Sequence, residues 1–305
     1  MKLDLKIKSL IQATSNRLGY EILSLSVARK QRQRITELEE KLERSDAHPS
    51  GEGRTASTTE ANAVFWSAYD WSQRGDEWSV GWGGTPYMWS GTILPRITAF
   101  LPAENILEIA PGYGRCTQYL YPLCKKLIIV DVAEKCIEAC QERFREVSNI
   151  EYFVNDGKSL DMVKDDSLDF VFSWDSMVHA ENDVMYAYLK ALSKKMRAGA
   201  YGFIHHSNFG EFVNQETGEV KIKNLHGRTT SMTATLFQKY CDEVDLLCIS
   251  QELVNWGCND LTDSFSLFAN KPKKTNFRTT VWENRDFMKE AEGIKSISRL
   301  YSLEN

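Results

Sequence analysis

The chain has 305 residues, of which 42% are hydrophobic and 26% are charged, proportions that are ordinary for a globular protein. Its formal net charge of −5 offers no general attraction to nucleic acid, and it contains no run of about 18 apolar residues that could span a membrane. The chain begins without a signal-peptide pattern, and its seven cysteines include no Cys-x-x-Cys pair, so we expect a cytoplasmic protein with reduced thiols and no metal site.

Residues 1–45 repeat apolar side chains at three- and four-residue steps, which predicts an amphipathic helix. This helix could pack on its own domain, or it could form a coiled coil or docking helix that holds a homodimer together. Its basic face could instead contact an anionic membrane surface. Residues 46–63 are rich in Ser, Thr and Gly and predict a linker.

Residues 64–100 hold five of the eight tryptophans in no helical or strand period. The segment is either a packed aromatic cap over the rest of the fold or a lid that closes over a bound ligand. Aromatic faces attract cations and stack on sugars, and Gly81, Gly83 and Gly84 supply hinge-like freedom. For the lid, we expect Trp82 or Trp89 to lie near the ligand.

A strand, a glycine turn and the start of a helix follow at residues 106–115. Such a corner binds nucleotides in α/β sheets, because glycine permits positive φ and a close approach of backbone to ligand. The acid comes before the turn, as Glu108-x-Ala110-x-Gly112-x-Gly114, so the stretch is not a G-x-G-x-x-G dinucleotide fingerprint.

Two further acids end the next two predicted strands. Asp131 follows Leu127–Val130, and Asp156 follows Ile150–Val154 after Asn155. Each alone could be a helix cap or a turn former. Taken with Glu108, they stand at the carboxyl ends of three successive strands, in the spacing of alternating strands and helices.

This pattern resembles motif I and the acids that follow it in the class I S-adenosylmethionine-dependent methyltransferases, with Ala110 in place of the usual first glycine. The resemblance implies a Rossmann-like α/β fold over residues 101–270, with a seven-stranded, mostly parallel sheet, helices on both faces and a last antiparallel hairpin. It implies S-adenosyl-L-methionine as cofactor, with Asp131 on the ribose hydroxyls and Asp156 on the adenine amino group. The expected cofactor-binding residues are Glu108, Ala110, Pro111, Gly112, Gly114, Asp131, Val132, Asp156, Gly157, Trp174, Trp82 and Trp89.

Three histidines follow the central strands Leu168–Trp174 and Tyr201–Ile204. A hydroxyl acceptor needs a base at the moment of attack, so His179, His205 and His206 are the candidates, with His206 preferred within the adjacent pair. Asp175 could orient a histidine or hold the acceptor. As an alternative, Asp175, His205, His206 and Asn208 could bind Mg²⁺, although carboxylates are few.

The acceptor is the least defined part of the prediction. Residues 17–22 resemble segments of bacterial glycan-tailoring methyltransferases, and the Trp cluster and the polar insertion at 209–230 favour a hydroxyl of a saccharide or small natural product. A methyltransferase-like scaffold or regulatory subunit stays open as a second class, whereas a nucleic-acid substrate is disfavoured by the acidic chain. Residues 271–305 predict a charged tail with a weak helical pattern near 287–300.

Overall fold

The computed structural model describes residues 58–214, 216–272 and 277–301. The predicted helix at 1–45 and most of the predicted linker at 46–63 lie outside these residues. In the described part, one sheet has eight strands in the order β3-β2-β1-β4-β5-β7-β6-β8. The strands are β1 Ala103–Ile109, β2 Cys124–Asp131, β3 Ile150–Val154, β4 Leu168–Ser173, β5 Met196–Ser207, β6 Leu247–Val254, β7 Asp263–Ala269 and β8 Thr280–Asn284.

Strands β1 to β5 are parallel, and β7 pairs antiparallel with both β5 and β6. The Rossmann-like fold and the predicted β6–β7 hairpin are confirmed. The predicted count of seven strands is wrong by one, because β8 adds to the edge of the sheet parallel to β6. Residues 271–305 were predicted to be a charged tail with a weak helical pattern near 287–300; the structure has a helix over Phe287–Leu300, and β8 before it was not predicted.

The helices are α1 Thr59–Ala68, α2 Thr85–Met88, α3 Leu94–Ile97, α4 Thr117–Leu120, α5 Glu134–Arg143, α6 Asn182–Lys195, α7 Ala234–Glu243 and α8 Phe287–Leu300. Short 3₁₀ turns cover Asp76–Trp82, Thr98–Phe100, Tyr121–Leu123, Met177–His179 and Phe209–Phe212, and a π turn covers Trp89–Ile93. Among the residues described, no helix has the length and apolar character needed to cross a membrane.

Each face of the sheet buries its own hydrophobic core, because successive side chains of a strand point to opposite faces. On one face, Val171 and Ile204 pack with residues of α6 and α7. On the other face, Phe172 and Phe203 pack with α5, the Trp-rich segment and the start of α8. The central strands are therefore apolar on both sides, as a buried parallel sheet requires.

The segment from Asp76 to Phe100 is held against the sheet by α8 and β6. A Cβ on Gly91 would lie 2.6 Å from Ile294 Cδ1, so the helix touches this backbone directly. Arg96 donates to both carboxylate oxygens of Glu252, at 2.7 and 2.6 Å, and lies 3.4 Å from Glu290 Oε2. These contacts pack residues 79–100, called the cap below, against α8 and β6.

We expect Arg96→Met to lower the free energy of unfolding by about 3 kcal/mol, since removing one partner leaves the largely buried Glu252 carboxylate unpaired. Lys125→Met is the matched control, because the ion pair of Lys125 with Glu104 is exposed and should contribute about 0.5 kcal/mol or less. Chemical denaturation of both variants measures the difference. Equal losses would show that Arg96 does not anchor the cap.

Candidate functional site

A cleft with an empty volume of about 950 Å³, counting the space open to solvent, lies at the carboxyl ends of β1, β2 and β4. In an open α/β sheet this edge is where ligands bind. The floor of the cleft comes from the glycine turn after β1, from the end of β2 and from the residues that follow β4. Its roof comes from α1 and from the first part of the Trp-rich segment, with Thr59, Asn62, Trp66, Trp71, Arg74, Gly75 and Trp78.

The turn after β1 is left-handed at three positions. Gly112 has φ +56° and Gly114 has φ +78°, and a Cβ on Gly114 would lie 2.5 Å from the ring of Phe144. Ala110 also has φ +56°, a conformation that costs an alanine roughly 1 kcal/mol. Its N–H donates to the Val130 carbonyl at 2.8 Å, which helps to hold the residue there. The usual glycine of the motif is therefore replaced at a backbone position that glycine would adopt more easily.

Asp131 and Glu108 line the floor of the cleft, and both are buried. Asp131 accepts hydrogen bonds from the N–H of Ala133 at 2.9 Å and of Gly112 at 3.3 Å. Burial nevertheless raises the pKa of Asp131 to about 6. Burial also raises the pKa of Glu108 to about 7, and Thr117 Oγ1 donates to this carboxylate at 2.6 Å.

The end of β3 contributes less than expected. Gly157 lines the cleft, where a Cβ would lie 2.5 Å from Thr59 Cγ2 and 2.8 Å from Val132 Cγ1. Asp156, expected to contact adenine, is instead exposed and outside the cleft lining. Its carboxylate accepts hydrogen bonds from the N–H groups of Lys158 and Ser159, so it closes its own turn.

The roof is aromatic, but its members differ from those expected. Trp71 stacks on Tyr113 with ring centroids 4.5 Å apart, and Trp66 lies within 6 Å of both Trp71 and Trp78. Trp82 and Trp89, expected near the ligand, lie instead in the core between the sheet and α8. Trp82 is 2% exposed and donates from Nε1 to Thr92 Oγ1 at 2.8 Å. The predicted lid at 64–100 thus divides into two parts. Residues up to Trp78 form the roof of the cleft, and residues 79–100 form the cap.

His179 lines the cleft from the 3₁₀ turn after β4. Its Nδ1 lies 2.9 Å from the Gly227 carbonyl oxygen, which can only accept, so Nδ1 carries the proton. In the neutral ring, Nε2 is then the acceptor nitrogen. The ring is largely buried and lies 5.5 Å from the ring of Trp66, which places it under the roof.

The other two candidate histidines are fully buried outside the cleft lining. His205 accepts from the Asp175 N–H at Nδ1, 3.1 Å away, and donates from Nε2 to Asp263 at 2.8 Å. His206, the preferred member of the pair, points to the opposite face of the sheet and stacks on Phe237. Burial lowers the pKa of His206 to about 4, so it stays neutral in the core. Neither ring is placed to take a proton from a ligand in the cleft.

Four charged side chains next to the cleft form a series of ion pairs: Arg115, Asp175, Arg228 and Asp263. Asp175, in the left-handed region at φ +56°, is 3.1 Å from Arg115 Nη2 and 3.6 Å from Arg228 Nη2. Arg228 also donates to Asp263 Oδ2 at 2.7 Å. Burial alone would raise the pKa of Asp175, but the two guanidinium groups outweigh it and hold the pKa below its usual value. Two arginines and two aspartates thus neutralise one another, and Arg115 and Asp175 are also part of the cleft lining.

The predicted Mg²⁺ ligands do not come together. Asp175 is paired with arginines, and the two histidines face opposite sides of the sheet. Asn208 Oδ1 accepts from the Ala234 N–H at the start of α7. Across residues 58–214, 216–272 and 277–301, no group of three His, Cys, Asp or Glu side chains could hold a metal ion.

Sequence reasoning did not single out Arg115, Arg228 or Asp263. Arg115 is visible next to Gly114, and Arg228 belongs to the polar insertion. Their partners, however, lie 60 and 35 residues away along the chain, and no local pattern indicates such a pairing.

Comparison with known proteins is consistent with this geometry. Residues 106–199 match the model of a methyltransferase domain family. Nodulation protein S of Sinorhizobium fredii is 36% identical over 55 residues, which are 18% of this chain and 26% of that protein. The chain thus aligns with about a quarter of the length of this curated relative.

Solved structures with a similar fold share little sequence with this chain. The DhpI–SAH complex is 18% identical, with 70% of this chain and 98% of that chain covered and a TM-score of 0.48. Phosphoethanolamine N-methyltransferase 1 of Haemonchus contortus, in complex with phosphoethanolamine and S-adenosylhomocysteine, is 18% identical, with 79% and 54% covered and a TM-score of 0.48. A sarcosine dimethylglycine methyltransferase, so described for Galdieria sulphuraria, is 14% identical, with 67% and 88% covered and a TM-score of 0.47.

The fold and the cleft define an α/β domain with a cleft at the carboxyl edge of its sheet, the edge at which such sheets bind ligands. Residues 106–199 match a methyltransferase domain family, this domain is similar to the class I S-adenosylmethionine-dependent enzymes, and its cofactor is S-adenosyl-L-methionine. The residues present fit this cofactor, because Gly112 and Asp131 both line the cleft and the buried Asp131 carboxylate can accept hydrogen bonds from hydroxyl groups.

We expect affinity for S-adenosylhomocysteine to rise as the pH increases through about 6, while any further change near pH 7 reports Glu108, which also lines the cleft floor. Only the ionised Asp131 carboxylate accepts hydrogen bonds from two hydroxyls, and its pKa in the free protein is about 6. Asp131→Asn should remove this part of the pH dependence and weaken binding by about 2 kcal/mol. Isothermal titration between pH 5 and 8 measures both. An unaltered pH profile in the variant would mean that Asp131 does not contact the ligand.

Proposed function

We propose that this protein transfers the methyl group of S-adenosylmethionine to a hydroxyl of a saccharide or small natural product, with His179 as the general base. The observation that carries the proposal is the position of His179, which lines the cleft with Nδ1 bonded to Gly227 and Nε2 as its acceptor atom. The proposed site of action is the cytoplasm, where the seven free cysteines stay reduced.

Bound S-adenosylmethionine supplies an electrophilic methyl group on a sulfonium centre. The chain's own residues would hold it in place, with the Gly112 turn and Asp131 on one side and Trp66, Trp71 and Trp78 as the roof. The roof limits the access of water, which strengthens electrostatic contacts inside the cleft. Alignment of the acceptor with the methyl group is the main contribution expected from such a site.

A hydroxyl acceptor holds its proton near neutral pH, so the proton must leave as the oxygen attacks. His179 Nε2 would accept this proton, while Nδ1–H stays bonded to the Gly227 carbonyl. Both ring nitrogens then carry protons, and the nearby Asp175 carboxylate, held ionised by Arg115 and Arg228, favours that charged ring. The proton would pass to solvent after the product leaves.

The acceptor class is inferred from the lining of the cleft. The aromatic side chains of Trp66, Trp71 and Trp78 can pack against the C–H face of a sugar ring or against a flat aromatic ring. Trp174 also lines the cleft, and its buried Nε1 has no hydrogen-bond partner among the described residues. An acceptor oxygen would satisfy this donor, which otherwise carries the cost of an unmade hydrogen bond. Such contacts suit a molecule with both rings and hydroxyls.

Product analysis tests the proposed reaction. The full chain is incubated with methyl-labelled S-adenosylmethionine and with fractions of a host extract enriched in saccharides or in amines. We expect the label in an ether linkage on a saccharide or small natural product. Label found only on nitrogen would overturn the assigned acceptor group. Failure to bind S-adenosylhomocysteine in isothermal titration would instead favour the scaffold function.

A further inference from the structure

The end of the polar insertion, residues 224–229, contacts the turn that carries His179. The Gly227 carbonyl accepts from His179 Nδ1 at 2.9 Å, and the Thr229 N–H donates to the Val178 carbonyl at 2.9 Å. Gly227 is left-handed, with φ +58°. The loop is thus hydrogen-bonded to two successive residues of the turn, Val178 and His179.

Asn224 fixes the backbone of this loop. Its Oδ1 accepts from the Arg228 N–H at 2.8 Å, and its Nδ2 donates to the Arg228 carbonyl at 2.7 Å. The Asn224 amide therefore forms hydrogen bonds with both the N–H and the carbonyl of Arg228, the residue that follows Gly227. This closed arrangement leaves the Gly227 carbonyl few alternative directions.

Arg228 fixes the same loop to the sheet. Its Nε lies 3.0 Å from Asp263 Oδ2, and its Nη2 lies 2.7 Å from the same oxygen. The guanidinium also lies over the ring of Trp256, 5.5 Å from its centroid. Burial acts to lower the pKa of Arg228, but Asp263 and Asp175 outweigh it, so the pKa stays above its usual value and the anchor stays charged.

We propose that Asn224 and Arg228 are positioning residues for His179: they aim the Gly227 carbonyl at Nδ1 and thereby hold the ring in the tautomer with Nε2 unprotonated. The inference rests on the proposed role of His179 as the base. A neutral imidazole carries its proton on either nitrogen, and the hydrogen bond made by one nitrogen decides which. A ring protonated on Nε2 has its only acceptor atom at Nδ1, which faces the Gly227 carbonyl, so it cannot take the hydroxyl proton at Nε2. The loop would therefore set the fraction of molecules that are ready to react.

The test measures the tautomer directly in protein labelled with ¹⁵N-histidine. In the native chain we expect His179 to show a protonated Nδ1 and an unprotonated Nε2, with its signals assigned by their loss in His179→Gln. In Asn224→Ala the two signals should move toward each other as the second tautomer becomes populated. Turnover should fall about tenfold, less than the 10²- to 10⁴-fold that a lost base costs. Affinity for S-adenosylhomocysteine should be unchanged.

Two further variants in the polar insertion serve as controls. Lys221→Ala removes an exposed side chain and should alter neither the ¹⁵N shifts nor turnover. Asn224→Asp keeps the acceptor for the Arg228 N–H but loses the donor to its carbonyl, so its tautomer shift and turnover should fall between those of the native chain and Asn224→Ala.

A native His179 protonated on Nε2 overturns the inference, and so does an unchanged tautomer or unchanged turnover in Asn224→Ala. These results are distinguishable from failure of the proposed function. If His179→Gln keeps full turnover, the base assignment fails whatever the tautomer shows. If His179→Gln is inactive while Asn224→Ala is normal, only the positioning role fails.

Discussion

Replacing His179 with glutamine is expected to lower kcat by about 10²- to 10⁴-fold, the usual contribution of a general base. Glutamine can still donate to the Gly227 carbonyl, but it cannot take a proton from a hydroxyl. The affinity for S-adenosylhomocysteine should change little, because Asp131 and the glycine turn do not depend on this side chain. Single-turnover kinetics and isothermal titration measure the two quantities separately.

His206→Gln is the matched control for this substitution. His206 is fully buried against Phe237 on the other face of the sheet, so its loss should lower the free energy of unfolding and leave the kcat of the folded protein unchanged. Retained turnover in His179→Gln would contradict the assigned base. It would also favour an amine acceptor, since an amine that is already unprotonated attacks without a base.

The strands and their terminal acids could be read from the sequence because both depend on local patterns. The observed β3 has the predicted bounds, and β1 and β2 contain the predicted runs and extend them. Gly112 and Gly114 marked the turn because two closely spaced glycines after an acidic strand end are typical of a left-handed backbone, and both have positive φ. The eighth strand was missed because Thr280–Asn284 is short and mostly exposed, without an apolar run.

The direction of side chains could not be predicted in the same way. Alternation along β5 implied that His205 and His206 face opposite sides, but the sequence does not say which side packs against which helix. The structure places His206 on Phe237, 31 residues further along the chain, and His205 on Asp263, 58 residues further, and no local pattern indicates either contact. The expectation that Trp82 or Trp89 lies near the ligand was wrong for the same reason. Trp82 is buried against α8, a helix about 200 residues further along the chain.

Gly112→Val is expected to abolish measurable binding of S-adenosylhomocysteine, a loss of at least about 100-fold or 2.7 kcal/mol. Gly112 has φ +56°, which a β-branched residue strongly disfavours, and a Cβ there would lie 2.8 Å from the ring of Trp71. A shifted turn would also withdraw the N–H that donates to Asp131. Isothermal titration measures the affinity, and thermal unfolding shows that the variant is folded.

Gly199→Ala separates loss of the cleft from general backbone strain. Gly199 has φ +85°, but a Cβ there meets nothing within 4 Å, and the residue is exposed on β5. It should lower stability by roughly 1 kcal/mol and leave ligand affinity unchanged.

A Gly112→Ala, Trp71→Ala double variant removes the clash with the roof but keeps the strained φ. We expect it to bind no better than Gly112→Ala alone, because the ligand needs the left-handed backbone itself and not merely the space that Trp71 fills; full recovery would assign the effect to the roof.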